Sequence, residues 1–407
     1  MENKYISPFK PRKIIKVKSS GFDIYTYCAG FKKFKDDLLI IVFEKPADIA
    51  YLFTKSSTPS ASVIWNKNYH KIKKCKILIV NSGNANSYTG AAGLSAIKKY
   101  VNFAIQTFNS TKDEIFVSST GIIGEQLNPN LIINKLKLVK KSKTKNLFNA
   151  AKSIMTTDTF PKLAQETVSI RRKKIKIYGI AKGSGMIAPN MGTMLSYIFI
   201  DASLKKNILN HLLKDNIENS FNSISVDGDM STNDTVVLFS TGKNILKKIN
   251  KGDKVYKIIS AGLNKIMLNL AKQIVSDGEG ITKLIEVNLI NAKNKIQAKK
   301  IAFSIAESLL NKTAVYGEDP NWGRIIMAIG KTREKINQDN ISLSFGNNIL
   351  IKNGKIKNNI NINKLNLYMK NKIIKINLDL KIGKYNRTVW SSDLSNQYIK
   401  INAEYST

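Results

Sequence analysis

One short stretch constrains this chain more than any other: Gly183-Ser184-Gly185-Met186-Ile187-Ala188-Pro189-Asn190-Met191-Gly192-Thr193. Three glycines and a proline so close together exclude a helix interior. The threonine then opens an apolar run, Met194-Leu195-Ser196-Tyr197-Ile198-Phe199-Ile200, which reads as a buried strand. A hydroxyl at the point where an irregular loop enters such a strand is held by scaffold and reached from a cleft, the placement a nucleophile needs. An isolated Gly-Thr before a core strand is otherwise an ordinary turn.

At 407 residues, 43% of them hydrophobic, the chain supports a large layered domain with a smaller one beside it. Two cysteines, Cys28 and Cys75, make neither a disulfide framework nor a metal set, so a reducing cytoplasm is expected. Residues 1–18 lack the apolar core of a signal peptide, and runs such as Leu38 to Phe43 fall far short of the roughly 20 residues that span a bilayer. A soluble protein, with no membrane partner, is expected. The net charge of +36 raises a nucleic-acid reading. Against it, the basic residues are dispersed, no recognition module accompanies them, and the joint abundance of Lys, Asn and Ile looks like AT-rich codon usage. A solvated basic surface without nucleic acid is expected.

Strands are expected at Gly21 to Cys28, Leu38 to Phe43, Ala50 to Thr54, Lys76 to Val80 and Glu114 to Ser118. Helices are expected near Gly90 to Phe108, over 130–155 and over 203–218. The turn-rich loop Asn81 to Asn86 follows the fourth strand. Thr167 to Ile177 reads as a hairpin whose charged tip, Arg171 to Lys174, is not a localisation signal. Ile259, Leu263, Ile266, Leu270 and Ile274 stand at helical spacing, as do Ala298, Ile301, Ala302, Ile305 and Leu309. A strand from Leu284 to Ile290 lies between them, and the last 70 residues are strand-like. Mixed elements in this order predict layered sheets with helices outside, an α/β sandwich.

Threonine is a poor nucleophile without a base. The two histidines, His70 and His211, lie in no motif-like loop, which disfavours a Ser-His-Asp arrangement. Were the bond before Thr193 to break, the new α-amine would have a pKa of roughly 7.7–8.0 beside the hydroxyl it serves. Thr120-Gly121, at a strand end, can aim a hydroxyl and a backbone N–H into one cleft, although Ser-Thr-Gly alone is a common turn. Lys182 is a compact cation suited to a carboxylate or carbonyl oxygen. Thr156, in Thr156-Thr157-Asp158-Thr159, reads by itself as a turn hydroxyl. Glu279 stands between two glycines, on backbone expected to be exposed and flexible. The acidic loop Asp227 to Asp234 lacks the ligand spacing of an EF-hand, so no metal is expected.

These segments together resemble the glutamate N-acetyltransferase/ornithine acetyltransferase family of arginine biosynthesis. The likeness runs from Phe53-Thr54 through the Asn81 loop, Ser119-Thr120-Gly121, the Gly183–Thr193 loop and Gly317-Glu318-Asp319-Pro320-Asn321-Trp322-Gly323-Arg324 to the terminal Asn402–Thr407. The resemblance implies a sandwich similar to that of N-terminal-nucleophile hydrolases, with a smaller C-terminal region. It implies self-cleavage between Gly192 and Thr193, giving an alpha chain of residues 1–192 and a beta chain of 193–407, assembled as two copies of each. Thr193 would be nucleophile, Thr120 and Gly121 the oxyanion hole, and Thr156, Lys182, Thr193, Glu279, Asn402 and Thr407 substrate ligands. The Gly317–Arg324 run would support the site or subunit contacts. The reaction implied is acetyl transfer from N2-acetylornithine to glutamate without a cofactor, with acetyl-CoA a second candidate donor. An aminopeptidase or amidase of similar fold is the alternative. Two departures stand out: Gly192 where the family usually has alanine, which alters the strain available at the scissile peptide, and Tyr88 where it commonly has cysteine.

Overall fold

A computed structural model describes residues 5–13, 15, 17, 19–69, 74–188, 194–246 and 249–404. The strands are β1 Phe22–Tyr27, β2 Leu38–Phe53, β3 Lys74–Asn84, β4 Ile115–Ile122, β5 Lys162–Ile170, β6 Lys173–Lys182, β7 Leu195–Ala202, β8 Ile224–Ser225, β9 Thr235–Asn244, β10 Leu284–Ala292, β11 Ser342–Phe345, β12 Asn348–Lys352, β13 Lys355–Ile356, β14 Ile373–Asp379 and β15 Tyr385–Ser392. The chain forms two compact units. One comprises the described parts of Pro11–Asn222 and Asp229–Ile274, and the other those of Met1–Lys10, Ser223–Gly228 and Val275–Tyr405.

In the first unit, β4-β3-β2-β9-β7-β6-β5 run side by side, with β1 paired to β2. The two strands expected at Leu38 to Phe43 and Ala50 to Thr54 are one long strand. It pairs β3 from Leu38 to Asp48 and β9 from Asp48 to Phe53, with a register shift between Val42 and Ala47. Pro46 sits within that irregularity, where its missing N–H costs no ladder bond. The sheet thereby doubles over on itself. Phe22 of β1 packs on Phe199 of β7 with ring centroids 4.5 Å apart, and Phe43 on Phe239 at 5.0 Å. Leu39, Ile41, Tyr178, Tyr197 and Val237 fill the same interlayer core. The alternate residues Leu38, Ile40, Ile77 and Ile79 face outward, under Ala96, Ile97, Tyr100 and Val101 of the helix Gly90–Phe108. Both faces are therefore covered, and the strands read as unbroken apolar runs.

On the other outer face lies the helix Lys254–Val275, admitted closely because Gly179 and Gly262 carry no side chain. A Cβ on Gly262 would come within 2.6 Å of Val168, and one on Gly179 within 3.2 Å of Leu270. This bears out the expected layered α/β sandwich. The hairpin β5–β6 also forms as expected, its tip made by Arg171 and Arg172 at φ 45° and 67°, the pair of positive φ values a tight primed turn requires.

The second unit holds the sheet β13-β12-β11-β14-β10-β15-β8, packed against the helix Lys295–Ala306 through Ile285, Val287, Ala298, Ile301 and Ile305. Lys312, buried in the helix Leu309–Tyr316, donates to the Val226 carbonyl and, at 3.3 Å each, to the Ser391 and Ser392 hydroxyls. Burial lowers this lysine to about 8.

Candidate active site

β3 and β4 run parallel, and their register sets Ser82 beside Thr120 and Gly83 beside Gly121. Both glycines have positive φ, 111° and 135°. A Cβ on Gly121 would overlap the backbone of Gly83 and stand 2.5 Å from the Asn84 nitrogen, so the strands can approach this closely only with glycine there. Thr120 is thus fixed near the end of β4, which runs past the expected Ser118 to Ile122, and it is buried.

Lys182 ends β6 and is 2% exposed. Its Nζ donates to Thr120 Oγ1 and to Thr156 Oγ1, each at 3.0 Å. Three of the residues proposed from the sequence, far apart along the chain, therefore share one hydrogen-bonded centre. An ammonium can only donate, so both hydroxyl oxygens accept and each threonine keeps its own hydrogen for another acceptor.

Asp158, which the sequence reading passed over, organises this centre. Its Oδ1 accepts from Lys162 Nζ at 2.6 Å and from the Gly183 N–H at 2.7 Å, and its Oδ2 accepts from the Thr156 N–H at 2.9 Å. Thr157 and Ser184 hydroxyls lie 2.6 Å apart and add a second tie to the glycine-rich loop. Asp158 and Lys162 side chains are both wholly buried. Burial alone would raise the Asp158 carboxyl. Lys162, Lys182 and the Gly183 N–H together outweigh it and hold the group down to about 2. The signal was available, since Asp158 lies inside the Thr-Thr-Asp-Thr run. Lys32 stands alongside, donating to Met155 O at 3.0 Å, and burial lowers it to about 8 against the pull of Asp37.

β7 follows the loop and pairs Leu195 with Lys182 of β6 and with Thr235 of β9. Met194 N–H donates to Asp234 Oδ1 at 2.8 Å. Gly192 and Thr193, the expected cleavage site and nucleophile, lie outside the described residues, as do Thr407 and His70.

Glu279 and Asn402 belong to the second unit, and there Asn402 Nδ2 donates to Glu279 Oε2 at 2.9 Å. The expectation of an exposed, flexible Glu279 is corrected: the residue is 8% exposed. Gly280, at φ 67°, wedges against the backbone of Gln397 and Tyr398, and its carbonyl accepts from Ser395 Oγ at 2.6 Å. The flanking glycines thus allow close packing on the helix Asn396–Glu404 and do not loosen the loop. The Gly317–Arg324 run connects the helices Leu309–Tyr316 and Trp322–Gly330, with Arg324 Nη1 donating to Leu310 O at 2.6 Å and Glu318 paired to Lys283 at 2.9 Å.

Comparison with known proteins assigns the family. The ArgJ family model matches residues 23–407. The "Arginine biosynthesis bifunctional protein ArgJ" of Bartonella henselae is 43% identical over 404 residues, 98% of each chain. The protein of the same name from Brucella melitensis is 41% identical over 391 residues, 95% of each. A solved structure of the arginine biosynthesis bifunctional protein from Bacillus halodurans is 37% identical, covers 52% of this chain and 100% of its own, and superposes with a TM-score of 0.49. The chain belongs to the ArgJ family and is an acetyltransferase of arginine biosynthesis.

Proposed function

We propose that this chain moves the acetyl group of N2-acetylornithine to glutamate through an acetyl ester on Thr193. The observation that carries the reading is the Lys182 ammonium held 3.0 Å from both Thr120 Oγ1 and Thr156 Oγ1, at the end of the strand that pairs with β7.

Maturation comes first. Thr193 Oγ attacks the Gly192 carbonyl, the acyl group shifts from nitrogen to oxygen, and water hydrolyses the ester. The products end at Gly192 and begin at Thr193. The freed α-amine, with a pKa of roughly 7.7–8.0, then takes the hydroxyl proton as Oγ attacks the acetyl carbonyl. The oxyanion meets the Thr120 hydroxyl and the Gly121 N–H. Ornithine leaves with the proton, glutamate enters, and its amine attacks the ester to give N-acetylglutamate. Thr156 and Lys182 hold the substrate's oxygens, while Glu279, Asn402 and Thr407 serve its amino-acid end. The chemistry needs no metal or cofactor, and acetyl-CoA is a second donor. Two alpha and two beta chains make up the working assembly in the cytoplasm.

Denaturing mass spectrometry is expected to find fragments divided between Gly192 and Thr193. Thr193→Ala is expected to stay intact and to lose transfer from acetylornithine to glutamate. An active Thr193→Ala protein, or release of acetate in place of N-acetylglutamate, sinks the reading.

A further inference from the structure

The buried dipeptide Asn233-Asp234 holds both sides of the proposed reaction centre. Asn233 Nδ2 donates to the carbonyls of Ser119 and Ala85, each at 2.7 Å. Its Oδ1 accepts from the Thr232 hydroxyl at 2.6 Å, so every polar atom of the amide is committed. The Ser119 carbonyl belongs to the peptide unit that joins Ser119 to Thr120. Asp234 Oδ1 accepts the Met194 N–H at 2.8 Å, and that N–H belongs to the peptide unit joining Thr193 to Met194. The next residue continues the clasp, Thr235 N–H donating to Met194 O at 3.0 Å.

Asp234 is a costly residue to keep here. It is wholly buried. Thr54, next to it, spends its hydroxyl hydrogen on Ser231 O at 2.7 Å. Burial pushes the carboxyl well above the usual range, against the Met194 N–H and the Lys182 charge. Burying a carboxyl costs stability, which calls for a reason other than packing.

We propose that Asn233 and Asp234 are positioning residues, which tie the Ser119 carbonyl, beside the Thr120–Gly121 oxyanion donors, to the Met194 N–H just ahead of β7. One residue grips each segment, and the two are adjacent in the chain, so a single dipeptide spans both. The inference rests on the proposed function. Its physical basis is the steepness of catalysis with geometry, where a shift of about 1 Å costs roughly a hundredfold in rate.

The test uses the full-length chain, with kcat referred to the cleaved fraction. Asn233→Ala and Asp234→Ala are expected to lower kcat roughly ten- to a hundredfold, with KM for acetylornithine changed by less than about twofold. Asp234→Asn keeps a side-chain oxygen for the Met194 N–H and is expected to recover most of the loss. A structural role alone would not give coupling with Thr120. On the proposal, Thr120→Ala costs at least about threefold less in the Asn233→Ala background than in the native one. Folded Asn233→Ala and Asp234→Ala proteins with native kcat overturn the inference, as does strict additivity with Thr120→Ala. Should Asp234→Ala fail to fold, Asn233→Ala, which leaves the Met194 bond in place, decides alone. An inactive Thr193→Ala protein beside fully active loop variants removes only the positioning role. An active Thr193→Ala removes the proposed function itself.

Discussion

Asp158 has no water to spread its charge into, so its partners set its energy. With a folded-state value of about 2 against 3.8 for a free aspartate, the unfolded chain binds more protons between roughly pH 4 and pH 2. Stability therefore rises with pH across that window: the contribution is complete above pH 4 and is lost as acid brings the medium toward pH 2. The difference corresponds to about 2 kcal/mol at neutral pH. Asp158→Asn takes away this dependence and also removes the carboxylate from buried Lys162, a change expected to cost roughly 3–5 kcal/mol at pH 7. Urea unfolding at pH 7, 4 and 2.5 tests both statements. Native and variant proteins should differ most at pH 7 and converge toward pH 2.5. A constant gap at all three would show that Asp158 does not carry the acid sensitivity.

The element that most depends on backbone geometry is the β3–β4 pair. Gly121→Ala would place a methyl group into the Gly83–Asn84 backbone at φ 135°. Strain and overlap together should destabilise by roughly 2–4 kcal/mol and displace Thr120 from Lys182. Gly124, also at positive φ with nothing within 4 Å of its Cβ position, separates the two effects. Gly124→Ala meets strain alone and should lose less stability and little transfer activity. Equal losses in thermal unfolding would mean that the close strand approach is not what glycine provides at 121. The same elements show what was legible in the sequence. Period and apolarity were enough for the strand Leu195–Ala202 and for the helices Gly90–Phe108 and Lys254–Val275. Short helices escaped notice. Ala61–Tyr69 and Leu309–Tyr316 are little more than two turns long with no acidic first turn, and their stability comes from packing, which a sequence window does not record. The span 130–155 breaks into Pro129–Leu136 and Leu147–Ser153 because Asn146 caps a second helix start through Asn149. At the site, Lys182 could be singled out among so many lysines only by the motif beginning at Gly183. Asp234 was hidden because its role is a hydrogen bond to the Met194 N–H, forty residues away, whereas Asp158 stood in plain view within the Thr-Thr-Asp-Thr run.

At the scale of the whole molecule, the predicted chain break falls inside one unit. β6 and β7 flank residues 189–193 and pair from Lys182–Leu195 to Ile177–Ile200, so strands from both sides of the break belong to one sheet. Ladder bonds and the interlayer core hold these strands together without the peptide link, so cleavage need not loosen the fold. The second unit has its own sheet and core, and its contribution can be removed with little damage to either. In the helix Asn396–Glu404 no residue is fully buried, and the Asn402 amide donates to the Glu279 carboxylate. Ending the chain after Ile401 deletes that bond from an exposed amide while leaving Ser395 and Tyr398 to hold the Gly280 turn. If Glu279 binds the amino-acid end of the substrate, KM for acetylornithine should rise roughly ten- to a hundredfold in the shortened protein, with self-cleavage and the midpoint of thermal unfolding nearly unchanged. Asn402→Ala should reproduce most of the effect, and Glu279→Gln should exceed it because the substrate ammonium then loses its counter-charge. Native KM in both the shortened chain and Glu279→Gln would separate this unit from substrate binding and leave acetyl transfer to the Lys182 centre alone.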